Sequence, residues 1–526
     1  MRRPVLALWA IIHLVRSGTP AGADSDALSF VDAASSTGIG KALSGIMAHA
    51  AACGDIDGDG DLDLYVGNFC DRPDRQYTVT SGPVPNVLLI NDDGRFADSR
   101  QDAVVMRART SGAAFCDLDN DGDLDLYVAN NSKTTGLRRP NGLFENTRGH
   151  FRDVSSGNAA CIVMGARSIG VLDFDGDRLL DLLVTGDQWT GGHTRLFRNT
   201  GNLAFEDFTA KTGLPDPLPG LGVVTPDLNE DGWPDIFISQ ANRLFLSRGN
   251  GAYREAGSEA FQYEPINREA TPCGVAFGDL DRDGDFDLVI VDHSQPARQH
   301  LFLNDGMREG VPVFRDATAA AGLDYQFPSW TANRLHLKHA HAEIADFDND
   351  GWPDILVAAT YDAGGESRPF VCRNLGAHGG TVRFHVPPVD QANAYFPAGP
   401  TADYDRDGRM DVFLTSWFPQ SPSRLFLNRS PQQHWLRVRV IGRTINRMGI
   451  GAKVKLYYPG KLGQPQALLG YQEIGISQGF CSSQEAVAHF GLGDLARCDL
   501  EVVLPFGRGI VRKENMAANQ RITVTE

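Results

Sequence analysis

The chain has 526 residues, 42% of them apolar and 22% charged, with a formal charge of -17 at pH 7. A single core stops growing at roughly 250 to 300 residues, so one large repeat-built domain and a smaller one are expected. The acidity repels phosphate and excludes nucleic acid as a partner.

Met1-Arg2-Arg3, an apolar run from Pro4 to Val15 and small residues ending in Ala21-Gly22-Ala23 have the layout of a secretory signal peptide. Residues 1–23 are therefore expected to be removed, and the protein to be secreted, or to reach the periplasm or cell surface of a bacterium. Losing Arg2, Arg3 and Arg16 takes the charge from -17 to -20. No later stretch approaches the roughly 18 unbroken apolar residues of a membrane span, so none is expected.

Beyond the leader, a nine-residue pattern of spaced aspartates occurs seven times at intervals of 52 to 67 residues. The candidate metal ligands it supplies are Asp55, Asp57, Asp59, Asp61 and Asp63 in the first loop, and Asp117, Asp119, Asp121, Asp123 and Asp125 in the second. Asp173, Asp175, Asp177 and Asp181 form the third set, and Asp227, Asn229, Asp231 and Asp235 the fourth. The fifth is Asp279, Asp281, Asp283, Asp285 and Asp287, the sixth Asp346, Asp348, Asp350 and Asp354, and the seventh Asp403, Asp405, Asp407 and Asp411. Carboxylates at positions 1, 3 and 5 with glycine at 6 are the front half of a calcium loop, in which alternate oxygens converge on one hard cation and glycine permits the sharp turn.

The second half of the loop rules out an EF-hand, because the bidentate Glu at position 12 is replaced by Val66, Val128, Val184, Ile238, Ile290, Val357 and Leu414. Each loop runs instead into a β-branched, aromatic strand such as Asp63-Leu64-Tyr65-Val66, so the loop is expected in a β-hairpin with the ninth-position Asp closing the site. Up to seven Ca²⁺ are the expected cofactors, adding +14 and taking the mature charge from -20 to -6. The third loop, with Arg178 in the glycine position, is expected to be distorted and its site doubtful.

The rest of the unit repeats as well. A second run such as Arg195-Leu196-Phe197-Arg198-Asn199 leads through a turn into a third such as Phe205-Glu206-Asp207, which with the strand entering the loop makes four strands per unit. The seventh unit lacks the F-x-D strand, and Phe30-Val31-Asp32-Ala33 is an orphan copy of it. The expected fold is all-β: a seven-bladed β-propeller over residues 24–430, its seventh blade completed by residues near 28 to 35, and a small β-rich, sandwich-like domain over 431–526.

These loops with trailing LF-x-N and F-x-D strands resemble the FG-GAP and VCBS repeats of integrin α-chains and exported bacterial proteins, over roughly residues 28 to 430. The segments Gly449-Ile450-Gly451-Ala452-Lys453, Gly479-Phe480-Cys481-Ser482-Ser483 and Ala518-Asn519-Gln520-Arg521 are similar to the ASPIC/UnbV domain, and the pair in this order resembles the cartilage acidic protein family. The resemblance implies calcium in the blade loops and extracellular binding or adhesion, with no assigned activity. The partner expected is an extracellular protein or glycan, and the chain is expected not to be an enzyme.

An exported propeller hydrolase or lyase, with its site on the face opposite the calcium loops, is the alternative. Its marks would be Gly475-Ile476-Ser477-Gln478-Gly479, which matches a nucleophile elbow, and His339 with His341 at metal-like spacing. Of the eight cysteines, Cys481 and Cys498 are the one pair that can be named for a disulfide, burial as free thiols being the other reading. Strand alternation puts Phe69, Trp189, Tyr361, Trp417, Phe418 and the insertion from Tyr325 to Trp330 on the face away from the aspartate loops, either as a candidate contact surface or as loop aromatics packed on their own blades.

Overall fold

The computed structural model describes residues 28–71, 84–132, 137–263, 271–293, 297–327, 339–378, 381–393 and 395–526. The expected leader, residues 1–23, and the part of the Tyr325 insertion from Pro328 to Trp330 lie outside them.

Seven antiparallel meanders of four strands repeat along the described residues. The first takes Ala48–Gly54, Asp63–Asn68, Val87–Asp92 and Arg95–Asp98 in spatial order, with an aspartate loop between its first two strands. Its first two strands are buried at every position, as are Thr110–Cys116 and Asp125–Asn130 of the second sheet, because a propeller blade is packed on both faces by its neighbours. The outer strands alternate, with Phe96 and Phe151 buried between exposed neighbours. Near the axis the blades crowd one another. A Cβ on Gly112 would meet the Arg167 carbonyl oxygen at 2.3 Å, and one on Gly222 the Cys273 carbonyl oxygen at 2.4 Å, so only glycine lets these first strands approach.

The seventh sheet draws on both ends of the repeat region. Thr401–Ala402, Asp411–Leu414 and Arg424–Asn428 come from its own unit, and Phe30–Asp32 pairs antiparallel as the fourth strand, with Phe30 opposite Asn428 and Asp32 opposite Phe426. Arg424 and Asp32 form an ion pair across this seam.

From His434 the chain builds two further sheets. One holds Ala488–Gly493, His434–Ile441 and Gln520–Thr525; the other holds Leu468–Glu473, Lys453–Tyr457, Arg497–Leu504 and Gly509–Ala517. Leu436, Val438, Val454, Leu456, Leu500 and Val502 fill the space between them, and the same buried cluster runs on into Cys116, Leu118 and Val171 of the ring. The sandwich therefore sits against the aspartate-loop end of the ring and shares its core.

One segment of the sandwich leaves it and enters the ring. Gly479 exchanges two backbone hydrogen bonds with Val275, at 3.2 and 2.7 Å, and Ser482–Ser483 adds in parallel to Ala51 and Ala52. The Cys481 N–H donates to Ser168 Oγ at 3.0 Å, the Val171 N–H to Ser477 Oγ at 3.1 Å and the Gly399 N–H to Ser482 Oγ at 3.0 Å. Residues 477–484 thus bond to the first strands of several sheets at once, which places them on the axis as a plug.

Candidate metal loops

Each aspartate loop turns by visiting the left-handed region twice. Position 4 does so in Gly58, Asn120, Gly176, Glu230, Arg282, Asn349 and Arg406, and position 6 in Gly60, Gly122, Arg178, Gly232, Gly284, Gly351 and Gly408. The position-1 carboxylate gathers the loop's amides. Asp55 accepts from Gly58 N–H at 2.8 Å and Gly60 N–H at 3.1 Å, and Asp346 accepts from Asp350 N–H at 3.2 Å and Gly351 N–H at 2.8 Å. The position-9 carboxylate fastens the loop to its blade. In all seven it accepts one N–H from the loop's second residue and one from the third strand, as Asp63 does from Ile56 at 3.1 Å and Asn91 at 2.8 Å.

This scaffold aims the remaining oxygens inward. One oxygen each of Asp55, Asp57 and Asp63 lies within 4.8 Å of the others, and the same holds for Asp117, Asp119 and Asp121; Asp173, Asp175 and Asp181; Asp279, Asp281 and Asp287; and Asp346, Asp348 and Asp354. Asp117 Oδ1, Asp279 Oδ2, Asp281 Oδ1, Asp403 Oδ1 and Asp405 Oδ1 are buried with no hydrogen-bond partner. Burial first, and neighbouring aspartates second, push the carboxyls up: Asp117 and Asp173 to about 7, Asp281 and Asp350 to about 6. For Asp63 and Asp125 burial is offset in part by amide donors and still leaves both at about 8. Convergent carboxylate oxygens, some of them buried without a partner, suit a hard divalent ion such as Ca²⁺.

The expected distortion of the third loop is absent. Arg178 takes φ +80° and its N–H donates to Asp173 Oδ2 at 3.1 Å, as glycine does elsewhere, so the turn survives at some conformational cost. The position-7 residues Asp61 and Asp123 turn to the neighbouring hairpin instead, accepting from Asp93 N–H at 2.8 Å and Arg148 N–H at 3.0 Å.

Sequence reasoning missed a second role, that of the asparagine ending the third strand. Asn146 Nδ2 donates to Leu124 O in its own blade at 3.0 Å and to Ile56 O in the preceding loop at 2.8 Å; Asn199, Asn374 and Asn428 repeat both bonds. The LF-x-N repeat carried that signal, and only the ring reveals which loop each amide reaches.

Other expectations resolve differently. Ser477 of the G-x-S-x-G match is 5% exposed in the plug, where it accepts a backbone amide rather than standing on a strand-to-helix turn. His341 Nδ1 accepts from Phe480 N–H at 3.0 Å and its Nε2 faces Glu343 at 3.1 Å, while His339 packs edge-on against Phe327 and is driven by burial to about 3, hence neutral. The Cys481–Cys498 disulfide is not formed, because Cys481 travels into the ring with the plug and Cys498 stays in the sandwich; both are free thiols. Of the aromatics, Phe69, Tyr361 and Phe418 are buried and Trp417 packs on His49 and Phe69; Trp189 is 52% exposed, with the Arg167 guanidinium over its ring.

Residues 69–128, 173–238, 227–290 and 346–414 match the FG-GAP-like repeat family, and residues 442–526 match ASPIC and UnbV. The chain is 25% identical to cartilage acidic protein 1 of Homo sapiens over 506 residues, which span 91% of this chain and 71% of that protein. It is also 25% identical to integrin alpha-V of Gallus gallus over 213 residues, 36% of this chain and 20% of that one. A lectin from Burkholderia pseudomallei superimposes with a TM-score of 0.42 and 12% identity over 70% of this chain and 93% of its own, a likeness too slight to bear on what this chain binds. Repeated four-stranded sheets, seven aspartate hairpins and a sandwich ending in the ASPIC and UnbV match make this chain an FG-GAP-like repeat protein with a C-terminal ASPIC and UnbV domain, similar to cartilage acidic protein 1.

Proposed function

We propose that this chain is an exported, calcium-stabilised β-propeller that acts as an extracellular interaction protein rather than an enzyme. The observation that carries the reading is the convergence of carboxylate oxygens within 4.8 Å in the repeated hairpins, some of them buried with no partner. Calcium there relieves the repulsion among the aspartates and turns binding energy into folding energy. The plug supports a binding role, since residues 477–484 fill the axis where the blades' first strands meet.

The sandwich covers the aspartate-loop end, which leaves the opposite face and the rim for a partner. That face carries Trp189 and the connections between second and third strands, and a protein or glycan is the partner its exposed tryptophan suits. The domains are proposed to divide near residue 430, with residues 1–23 a removed leader. Retention of extracellular matrix material on immobilised protein, measured in calcium and in EGTA, tests the reading. Partner capture that needs folded, calcium-loaded protein supports it; turnover of a glycan substrate by the same preparation, with no retained partner, overturns it.

A further inference from the structure

The fourth loop differs from the other six. Lys453, on the first long strand of the four-stranded C-terminal sheet, places Nζ 2.7 Å from Asp227 Oδ2, with side chains only 10% and 6% exposed. Two residues on and on the same face of that strand, Lys455 Nζ lies 3.7 Å from Glu230 Oε1. The Asp227 N–H donates to Glu473 Oε2 at 3.1 Å, and the Phe506 N–H to the Gly232 carbonyl at 3.0 Å.

Within the loop, position 3 is Asn229, whose Nδ2 donates to Asp231 Oδ2 at 3.0 Å, so an N–H rather than an oxygen faces the position-5 carboxylate. The inter-blade tie also fails here. Ser247 stands where other third strands end in asparagine, and Asn304 Nδ2 of the next blade is buried with no partner. Loop seven is the useful contrast. Arg437 and Arg521 also reach its position-1 oxygen, Asp403 Oδ2, at 3.1 and 2.7 Å, and Arg429 reaches Asp405 Oδ2 at 2.6 Å and Asp407 Oδ2 at 3.0 Å, yet Asp403 Oδ1 and Asp405 Oδ1 stay buried without partners.

The geometry points to Lys453 as the resident cation of the fourth loop: its ammonium takes the place a divalent ion takes in the other loops, and in doing so latches the C-terminal sandwich to the ring. The inference rests on the calcium reading of the remaining loops. A divalent ion on Asp227 would stand next to a buried ammonium held on the same carboxylate, and like charges at that separation repel strongly where water is scarce. An ammonium with three donors satisfies Asp227 without that repulsion, and Glu473 helps to balance its charge.

The test counts bound calcium by equilibrium dialysis against calcium alone, on the full chain and three variants, with melting recorded in excess EGTA. Asp231→Asn is expected to bind as many ions as the parent, Asp283→Asn one fewer, and Lys453→Met one more, because the vacated loop then accepts an ion; a lysine with only a packing role would give no such gain. Lys453→Met is also expected to melt below the parent in EGTA. Loss of one ion in Asp231→Asn, no gain in Lys453→Met, or unchanged melting of Lys453→Met in EGTA each overturns the inference. An unchanged count in Asp283→Asn instead overturns the calcium reading of the ring, and the EGTA melting of Lys453→Met still decides whether the lysine latches the domains.

Discussion

On one face of the ring the position-9 carboxylates from Asp63 to Asp411 repeat the same two hydrogen bonds in all seven hairpins, even where Arg178 replaces glycine; on the other, the connections share no spacing and most of their aromatics sink into the blades. The loop face is a local construction, in which a carboxylate finds its amide partners within its own blade. The opposite face is decided by neighbours far away in the chain, as when His49 stacks on Phe69 at 4.4 Å and meets both Trp417 and the plug residue Phe480. Repetition on one side therefore leaves the other free to vary.

Removing the cation should break the loop face hardest. Each site held at a hundredfold excess over its Kd stabilises the fold by about 2.7 kcal/mol, so EGTA should lower Tm by far more than any single substitution. An unchanged melting curve would refute cation binding. The same experiment run across pH sharpens the point. Asp63 and Asp125, at about 8, and Asp117 and Asp173, at about 7, sit above the usual carboxylate value of the unfolded chain. Their contribution in chelator is complete below about pH 4 and is lost as pH rises through 7 to 8. Tm in EGTA should thus fall over that range, and calcium should remove the fall. A Tm that rises from pH 5 to 8 in EGTA would contradict the burial of these groups.

Tyr361→Ala should destabilise by about 3 kcal/mol or more, because the ring is buried and meets Phe370 of the same blade edge-on. A urea midpoint close to the parent's would return Tyr361 to the contact surface. Asn199→Ala should cost about 2 kcal/mol by stranding the Leu118 and Leu180 carbonyls. A negligible cost would mean that the inter-blade tie contributes little. Arg178→Gly should raise stability by about 1 kcal/mol through relief of the left-handed backbone, with the calcium count unchanged. Destabilisation would show that the arginine is needed where it stands. Trp189→Ala should shift stability by less than about 0.5 kcal/mol while weakening partner retention; unfolding with retention intact would make it a packing residue.

Much of this was legible in the chain itself. Period-two strands, aspartates at alternate positions and a trailing LF-x-N define a hairpin whose bonds are nearly all local, so its repetition announces a ring of four-stranded sheets, and the orphan Phe30-Val31-Asp32 points to the strand it completes. Long-range placement was not legible. Nothing within Ile476 to Gln484 says that the segment leaves its own sandwich for the ring axis, because its partners, Ser168, Val275, His341 and Gly399, are brought together only when the blades close. For the same reason the sequence marked the third loop as the exception, from its missing glycine, whereas the assembled molecule singles out the fourth. A backbone turn depends on a few adjacent residues, but the charge beside a carboxylate depends on whichever domain folds over it, and Lys453 is 226 residues from Asp227 along the chain.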